Sequence, residues 1–346
     1  APPDTMVPYD TDDVILYPYL SSHAAEDVTA FRWIVDGAMC NMMNFVQWRR
    51  RADACSKEKL ASYIGQCSQL SREEFFRTQP ALRPNHRSTW IEWDTPRPTG
   101  HIQNDRARVR FYAANDPAAP TVFLLHALMS ASDVGYRRLA MRFNAAGWNV
   151  AFPHLPYHYS RTPAGTWNGE LAITADLVRN AEGLRQAVIE LRQLMTLLRA
   201  RGTTEFGLIG TSYGGWIGAL LSLLEKDFRF IALVQPIVNP EKAVWENPGA
   251  AMMRRELRAR GHAPGNTQEM EHLLSPMNAL PLCDTSRTLL TAGIHDRISP
   301  LDELERLCAR WEGSKLLRVS QGHFGYRALR ETLQELAPIF ATDAWS

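Results

Sequence analysis

Cysteine is scarce in this chain of 346 residues, which contains five cysteines. No two of them have Cys-x-x-Cys spacing, so the sequence predicts neither a disulfide framework nor a zinc site, and it favours a reducing compartment such as the cytoplasm. An excess of one charge is also lacking, because 38 basic and 37 acidic residues leave a net charge of +1. We therefore expect no nucleic acid and no strongly acidic partner.

Long apolar runs are missing as well. The nearest candidate, residues 121–129, is short and contains His126, whereas a membrane-spanning helix needs about 18 or more apolar residues. Glycine-rich nucleotide-binding loops are also absent from the sequence, so we expect no cofactor. We expect a protein without a membrane span, although an opening at Ala1 is also what a cleaved signal peptide would leave.

The composition that is present, 45% hydrophobic and 22% charged residues, is typical of a globular protein. The sequence of residues 1–85 predicts a helical N-terminal extension, which has a long first helix and two shorter helices over residues 56–66 and 71–78. In its first helix, apolar residues recur every three or four positions, which predicts one apolar face. The residues of that face are Val28, Phe31, Ile34, Ala38, Met42 and Phe45.

After residue 86 the pattern changes to short β-rich runs. Helical stretches separate the runs from the third onward, which predicts an α/β fold with an eight-stranded, mostly parallel sheet and helices on both faces. The core is predicted to comprise residues 86–236 and 288–346, and the long segment between them, residues 237–287, is predicted to be a lid insertion. The eight strands are predicted at residues 88–93, 106–113, 121–126, 148–153, 205–209, 230–235, 288–292 and 315–319.

One motif carries chemistry directly. Gly210-Thr211-Ser212-Tyr213-Gly214 lies between an apolar strand and an apolar helix. A sharp strand–turn–helix connection exposes a serine hydroxyl, and the glycines allow strand and helix to approach closely. The motif therefore predicts a nucleophile elbow with Ser212 as the nucleophile.

A serine hydroxyl needs a base, which is itself oriented by an acid. After elbows of this kind the acid and then the histidine follow in the chain. His323 is the only later histidine in a small-residue turn beyond the last strand, and Asp296 follows the seventh strand. We predict Ser212, Asp296 and His323 as the catalytic residues.

The negative charge that develops in such a reaction needs hydrogen-bond donors. We predict the backbone N–H of Tyr213 as one donor and that of Leu128, in the loop after the third strand, as the other. Met129 is the neighbouring alternative to Leu128 and a candidate substrate contact. The carboxyl ends of parallel strands share one edge of the sheet, so these loops are expected to converge.

The loop after the fourth strand, residues 153–163, is rich in prolines and polar groups. His158 and Arg161 are predicted to contact substrate, with Arg161 binding an anionic group. The alternative for Arg161 is an ion pair with a protein carboxylate that holds the loop. The His154-x-x-x-His158 spacing does not predict a metal site, because Pro153 and Pro156 disfavour a helix there.

On these motifs the chain resembles the α/β-hydrolase superfamily over residues 86–346. The matching segments are His126-Ala127-Leu128, Gly210 to Gly215, Gly293-Ile294-His295-Asp296 and Gly322-His323. Ala127 departs from the glycine that family members often have. Residues 155–163 and the helical extension are similar to the group around α/β-hydrolase domain-containing protein eighteen.

The resemblance implies hydrolysis of a small-molecule or lipid-like acyl ester through an acyl-serine intermediate. An acyltransferase or thioesterase uses the same triad, and a non-catalytic binding module has the same scaffold. Burst release of p-nitrophenol with and without an alcohol acceptor distinguishes a hydrolase, an acyltransferase and a binding module, because a binding module gives no burst and a transferase releases faster with the acceptor. The acyl chain, the leaving group and the oligomeric state stay open.

Overall fold

The computed structural model describes residues 25–78, 84–87, 89–116 and 118–340. The first 24 residues of the predicted helical extension lie outside the described residues. So do the side chains of Val28 and Phe31 and the C-terminal residues 341–346. Among the described residues, no helix is both long enough and apolar enough to cross a membrane.

The extension contains three helices at the predicted places: α1 (Ala25–Arg49), α2 (Lys57–Cys67) and α3 (Arg72–Phe75). The Ser56 side chain accepts a hydrogen bond from the Lys59 N–H at the start of α2. At the start of α3, Ser71 and Glu74 form a reciprocal capping box. Both serines satisfy N–H groups that a helix leaves without a partner, so local sequence determines where these helices begin.

The predicted apolar face of α1 is wrong at Ile34, Ala38 and Phe45, which are exposed, whereas Met42 of the same face borders the interior beside Met43. Ile34 is 67% exposed and Phe45 is 49% exposed. The helix instead turns its other apolar side, which includes Val35, Met39 and Met43, toward the interior. The two sides have the same helical spacing, so periodicity alone does not distinguish the buried one.

All eight predicted strands are present, in a sheet that has nine strands within the described residues. The additional strand is a three-residue edge strand with a polar sequence that has no β-pattern. In chain order the strands are β1 (Asn85–Arg87), β2 (Trp90–Asp94), β3 (Arg106–Tyr112), β4 (Thr121–Leu125), β5 (Asn149–His154), β6 (Phe206–Thr211), β7 (Phe228–Val234), β8 (Thr288–Gly293) and β9 (Lys315–Val319). The spatial order is β1-β2-β3-β5-β4-β6-β7-β8-β9.

The sheet is antiparallel from β1 to β5 and parallel from β5 to β9. Helices pack on both faces, which confirms the predicted fold class. These helices are α4 (Val134–Ala145), α5 (Leu177–Arg199), α6 (Tyr213–Ser222), α10 (Leu301–Arg310) and α11 (Arg327–Phe340). Because side chains alternate along a strand, Phe123 and Leu125 join the core on the α5 and α6 face, and Val122 and Leu124 join that on the α4 and α11 face.

The segment between β7 and β8 contains α7 (Pro240–Trp245), α8 (Ala251–Ala259) and α9 (Glu271–Leu274). Helix α1 packs on the start of α8. The Asn44 and Gln47 side chains accept the N–H groups of Met252 and Met253 at 2.9 and 3.1 Å. These are first-turn donors that have no partner within a helix. The extension therefore caps the inserted helix, and the two lie together at the carboxyl edge of the sheet.

Candidate active site

Ser212 sits in a strained turn between β6 and α6. Its backbone dihedrals are φ 52° and ψ −112°, a conformation that a residue with a side chain rarely adopts. The turn requires small neighbours: a Cβ on Gly210 would lie 2.6 Å from the Gly214 carbonyl oxygen, and one on Gly214 would overlap the Leu125 carbonyl. The local sequence thus forms the predicted elbow, with the serine at the carboxyl edge of the sheet.

The structure brings Ser212, His323 and Asp296 into one hydrogen-bonded chain. Ser212 Oγ lies 2.8 Å from His323 Nε2, and His323 Nδ1 lies 2.7 Å from Asp296 Oδ2. The second carboxylate oxygen of Asp296 accepts the N–H groups of Ile298 and Ser299, both at 2.8 Å. Because Oδ1 is held by these donors, Oδ2 is oriented toward the imidazole, and Nε2 is free to accept a proton from the serine.

Gln235 is a site residue that the sequence analysis missed. It is buried at the end of β7 with φ 48°. Its Nε2 donates to Asp296 Oδ2 at 2.6 Å and to the Gly322 carbonyl at 2.7 Å. One amide thus connects the acid to the loop between β9 and α11, residues 320–326, which carries His323 and which we call the histidine loop. Its place at the carboxyl end of a parallel strand was the available signal.

Asp36 of α1 is a second missed residue. Its carboxylate accepts the N–H groups of His323 at 3.2 Å and Phe324 at 3.3 Å. Burial raises the pKa of Asp36, and the two N–H donors act in the opposite direction. No sequence pattern indicates this contact, because it joins residues 287 positions apart.

Two of the three predicted oxyanion candidates have unoccupied donors. Leu128 and Tyr213 line the same cavity as Ser212, and neither N–H has an acceptor among the described residues. Met129 also lines the cavity, but its N–H donates to His158 Nε2 at 3.1 Å. The arrangement favours Leu128 over Met129 as the donor from this loop.

The predicted substrate contact of His158 is wrong. The side chain is fully buried and does not line the cavity. Its Nδ1–H donates to the Pro156 carbonyl at 2.8 Å, which leaves Nε2 as the acceptor for Met129. His158 therefore holds the backbone of the loop between β4 and α4, residues 126–133, which we call the oxyanion loop and in which Met129 has φ 55°.

The predicted anion-binding role of Arg161 is also wrong. The residue is 1% exposed and forms a two-point ion pair with Glu190, with N–O distances of 2.5 and 2.9 Å. It also donates to the carbonyls of Asn104 and His154. The planar guanidinium is thus fully used inside the protein, as the alternative interpretation of this residue stated.

Three histidines in the oxyanion loop, at the end of β5 and in the loop after β5 are buried, and burial is the main cause that lowers the pKa of each. The pKa of His158 is lowered to about 4 and that of His154 to about 3, the latter also by Arg161. The pKa of His126 lies well below its usual value, with His158 adding to the effect of burial. The fold thus holds these imidazoles neutral at neutral pH.

This cluster predicts a steep loss of stability on mild acidification. Below about pH 6.5 the unfolded chain binds protons at these histidines that the folded chain does not, so the free energy of unfolding falls with pH by up to about 4 kcal/mol per unit for three groups. Urea unfolding at pH 7, 6 and 5 measures this slope. His154→Phe should reduce the slope by about 1.4 kcal/mol per pH unit, the contribution of one proton. A free energy of unfolding that stays constant between pH 6.5 and 5 would contradict the prediction.

The serine, the histidine and the oxyanion loop open into one cavity of about 1030 Å³. Small-molecule sites usually occupy roughly 300–1,000 Å³, so this cavity is large. Its walls come from α1, α5, the oxyanion loop and the segment between β7 and β8, and they are mainly apolar. The apolar residues include Val35, Met39, Met43, Ile173, Leu177, Leu184, Trp216, Val244, Trp245 and Ile298.

Within the described part of the chain, no group of three His, Cys, Asp or Glu side chains is arranged to hold a metal ion. His154 and His158 each have a protein partner on Nδ1, the Ser160 hydroxyl and the Pro156 carbonyl. The spacing of these two histidines reflects the packing of the loop after β5.

No protein-family profile matches the chain. An uncharacterized protein of Mycobacterium tuberculosis, found in two strains, is 27% identical over 182 residues, or 52% of this chain. The matched region spans 43% of that relative, less than half of its length.

Solved structures are similar to a larger part of the chain. Acetyl xylan esterase 1 from Thermoanaerobacterium sp. JW/SL YS485 matches 84% of this chain and 95% of its own, with a TM-score of 0.55 and 16% identity. A puromycin-hydrolyzing peptidase of Mycobacterium tuberculosis matches 74% of this chain and 38% of its own, with a TM-score of 0.51 and 16% identity. At these identities the likeness concerns the fold, and together with the strand order it shows that the chain has the α/β-hydrolase fold.

Proposed function

We propose that this protein is a serine hydrolase that cleaves carboxylic esters through an acyl-serine intermediate. The observation that carries the proposal is the chain of contacts from Ser212 Oγ through His323 to Asp296, at 2.8 and 2.7 Å, beside a large apolar cavity. Nucleophile, base and orienting acid within hydrogen-bond reach are the signature of an activated serine.

In the proposed reaction, Ser212 Oγ attacks the ester carbonyl carbon while His323 Nε2 takes the hydroxyl proton. The carbon–oxygen bond to the leaving alcohol then breaks, and His323 returns the proton to that oxygen. Water repeats the sequence on the acyl-serine: it gives its proton to His323, which passes it to Ser212 as the acid product leaves. The ester and one water molecule are the only reactants, and the proton returns to Ser212 at the end of the cycle.

The negative charge on the substrate oxygen is greatest in the tetrahedral intermediate. Leu128 and Tyr213 line the cavity, and their N–H groups, which have no acceptor among the described residues, are the donors we assign to this charge. His158 supports this role indirectly, because it fixes the neighbouring Met129 N–H and so limits the freedom of the loop. Donors fixed before the reaction contribute more than donors that must reorient.

The cavity supports a hydrophobic acyl group as the substrate's main feature. Burial of apolar surface contributes about 0.8 kcal/mol per methylene, and the apolar wall offers room for several methylenes. The segment of residues 237–287 covers this space together with α1, which supports its proposed role as a lid that excludes water from the reacting carbon.

The direct test is covalent labelling. A fluorophosphonate probe should add one label per chain, on the peptide that contains Ser212, and p-nitrophenyl esters should give a burst of one equivalent. An absence of both would contradict a nucleophilic serine. Faster steady release of p-nitrophenol in the presence of an alcohol would identify an acyltransferase as the better description.

We expect Val244→Trp to change chain-length preference. Val244 of α7 lines the cavity, so an indole there fills space that a long acyl chain would occupy. One methylene in an apolar pocket is worth about 1–3 kcal/mol, so kcat/KM for an octanoyl ester should fall about 10- to 100-fold while that for an acetyl ester changes about twofold. Hydrolysis of p-nitrophenyl esters of both lengths measures the difference.

The matched control is Arg255→Trp, which adds the same indole to the exposed side of α8. It should leave the ratio of octanoyl to acetyl hydrolysis unchanged. Equal losses for both esters in Val244→Trp would contradict the proposed acyl pocket.

A further inference from the structure

The N-terminal extension contributes a carboxylate to the loop that carries His323. Asp36 Oδ2 accepts the His323 N–H at 3.2 Å, and Oδ1 accepts the Phe324 N–H at 3.3 Å. The carboxylate packs so closely on Gly322 that a Cβ there would overlap it. Charge-assisted bonds to two successive N–H groups hold the backbone of this loop in one position.

The opposite side of the loop is held from the core. Gln235 donates to the Gly322 carbonyl at 2.7 Å, while Ser212 and Asp296 contact only the imidazole ring. Without Asp36, the N–H groups of His323 and Phe324 have no acceptor among the described residues. The backbone on that side would then be free to move relative to the serine.

The same helix also forms part of the cavity wall. Val35, directly before Asp36, and Met39, one helical turn after it, line the cavity. A displacement of α1 from the core would therefore open the pocket and remove the acceptor for the histidine loop together.

We propose that Asp36 is a positioning residue, which keeps the His323 imidazole aligned with Ser212 only while α1 is seated on the core. The inference rests on the proposed function, because it assigns Asp36 to the same triad. It makes the N-terminal extension a requirement for a competent site as well as a wall of the pocket.

The test compares Asp36→Ala and Asp36→Asn by steady-state hydrolysis of one ester. A misplacement of about 1 Å costs on the order of 10²-fold in rate, so kcat should fall about 30- to 100-fold in the alanine variant with KM changed less than about threefold. The asparagine variant retains one acceptor oxygen and should lie between the alanine variant and the natural protein.

Asp53→Asn is the matched control. Asp53 belongs to the same extension and pairs with Arg179 of α5 at 3.3 Å, away from the histidine loop. The Asp53→Asn variant loses one carboxylate and one ion pair between the extension and the core, and its kcat should equal that of the natural protein. An equal fall of kcat in Asp53→Asn and Asp36→Asn would show a general effect of the extension and overturn the inference.

Labelling by the fluorophosphonate separates this inference from the proposed function. Slow but complete labelling of Asp36→Ala, together with a melting temperature close to that of the natural protein, supports both the proposed function and the positioning role. If the natural protein is not labelled, the proposed function fails. If the natural protein and both Asp36 variants are labelled at the same rate, only the positioning role fails. Where Asp36→Ala does not fold, a natural kcat in Asp36→Asn overturns the inference.

Discussion

Ser212→Ala should lower kcat by about six orders of magnitude, the loss found when a triad serine is removed. In the proposed reaction this hydroxyl forms the covalent bond, and His323 Nε2 is its partner at 2.8 Å. The fold should persist, because alanine fits the space of serine and the strained backbone at φ 52° is the same for both residues. Steady-state hydrolysis and fluorophosphonate labelling of the variant measure the effect.

Two further variants sharpen this experiment. Ser222→Ala removes a buried hydroxyl that donates to the Ala219 carbonyl in the same helix, so it should leave kcat near its natural value. Ser212→Gly should be as inactive as Ser212→Ala. Its free energy of unfolding should be higher than that of Ser212→Ala by about 1 kcal/mol, because glycine tolerates a positive φ. Persistent labelling in Ser212→Ala would place the nucleophile on another residue.

Much of the fold was predictable because its determinants are local. The elbow around Ser212 follows from small residues between an apolar strand and an apolar helix, and the capping serines Ser56 and Ser71 lie directly before α2 and α3. The strands of the parallel sheet are buried on both faces, as in β4, where all five residues are buried. Such apolar runs between helical stretches are readable without knowledge of the tertiary structure.

The features that were missed depend on contacts between distant elements. The buried side of α1 is selected by the cavity and by α8. Asp36 and Gln235 join the histidine loop from positions that no local pattern distinguishes. Arg161 and His158 carried polar groups at the correct edge of the sheet, yet both side chains are buried, where Arg161 pairs with Glu190 and His158 accepts the Met129 backbone N–H. Sequence position therefore indicated the edge of the sheet, and packing decided which side chains face the cavity.

Asp296→Asn should lower kcat by about four orders of magnitude while the protein still folds. Each carboxylate oxygen of Asp296 accepts bonds: Oδ1 from the N–H groups of Ile298 and Ser299, and Oδ2 from His323 and Gln235. An amide has only one acceptor oxygen, so one of these pairs must face its NH₂ group.

Either orientation of the amide harms the site. If the oxygen faces Ile298 and Ser299, the NH₂ group faces His323 Nδ1 and favours the tautomer with the proton on Nε2, which is unable to take the serine proton. If the oxygen faces His323, the NH₂ group opposes two backbone donors, and the loop after β8 is destabilised. In the first orientation the NH₂ group also opposes the Gln235 Nε2–H donor, so this orientation predicts a low kcat with a small fall of the melting temperature. The second orientation leaves two backbone donors without an acceptor and predicts a low kcat with a larger fall of the melting temperature.

The control is Glu241→Gln, which tests an acid that lines the cavity and does not contact His323. Glu241 lines the cavity, and its carboxylate accepts the Gly265 N–H at 2.6 Å and the Thr267 hydroxyl at 3.0 Å. Because these contacts lie in the inserted segment and away from His323 Nδ1, Glu241→Gln should change kcat by less than about tenfold, the scale of a lost surface contact. A near-natural kcat in Asp296→Asn together with a large loss in Glu241→Gln would move the acid role to Glu241, because the residue that orients the imidazole is the one whose neutral isostere removes turnover.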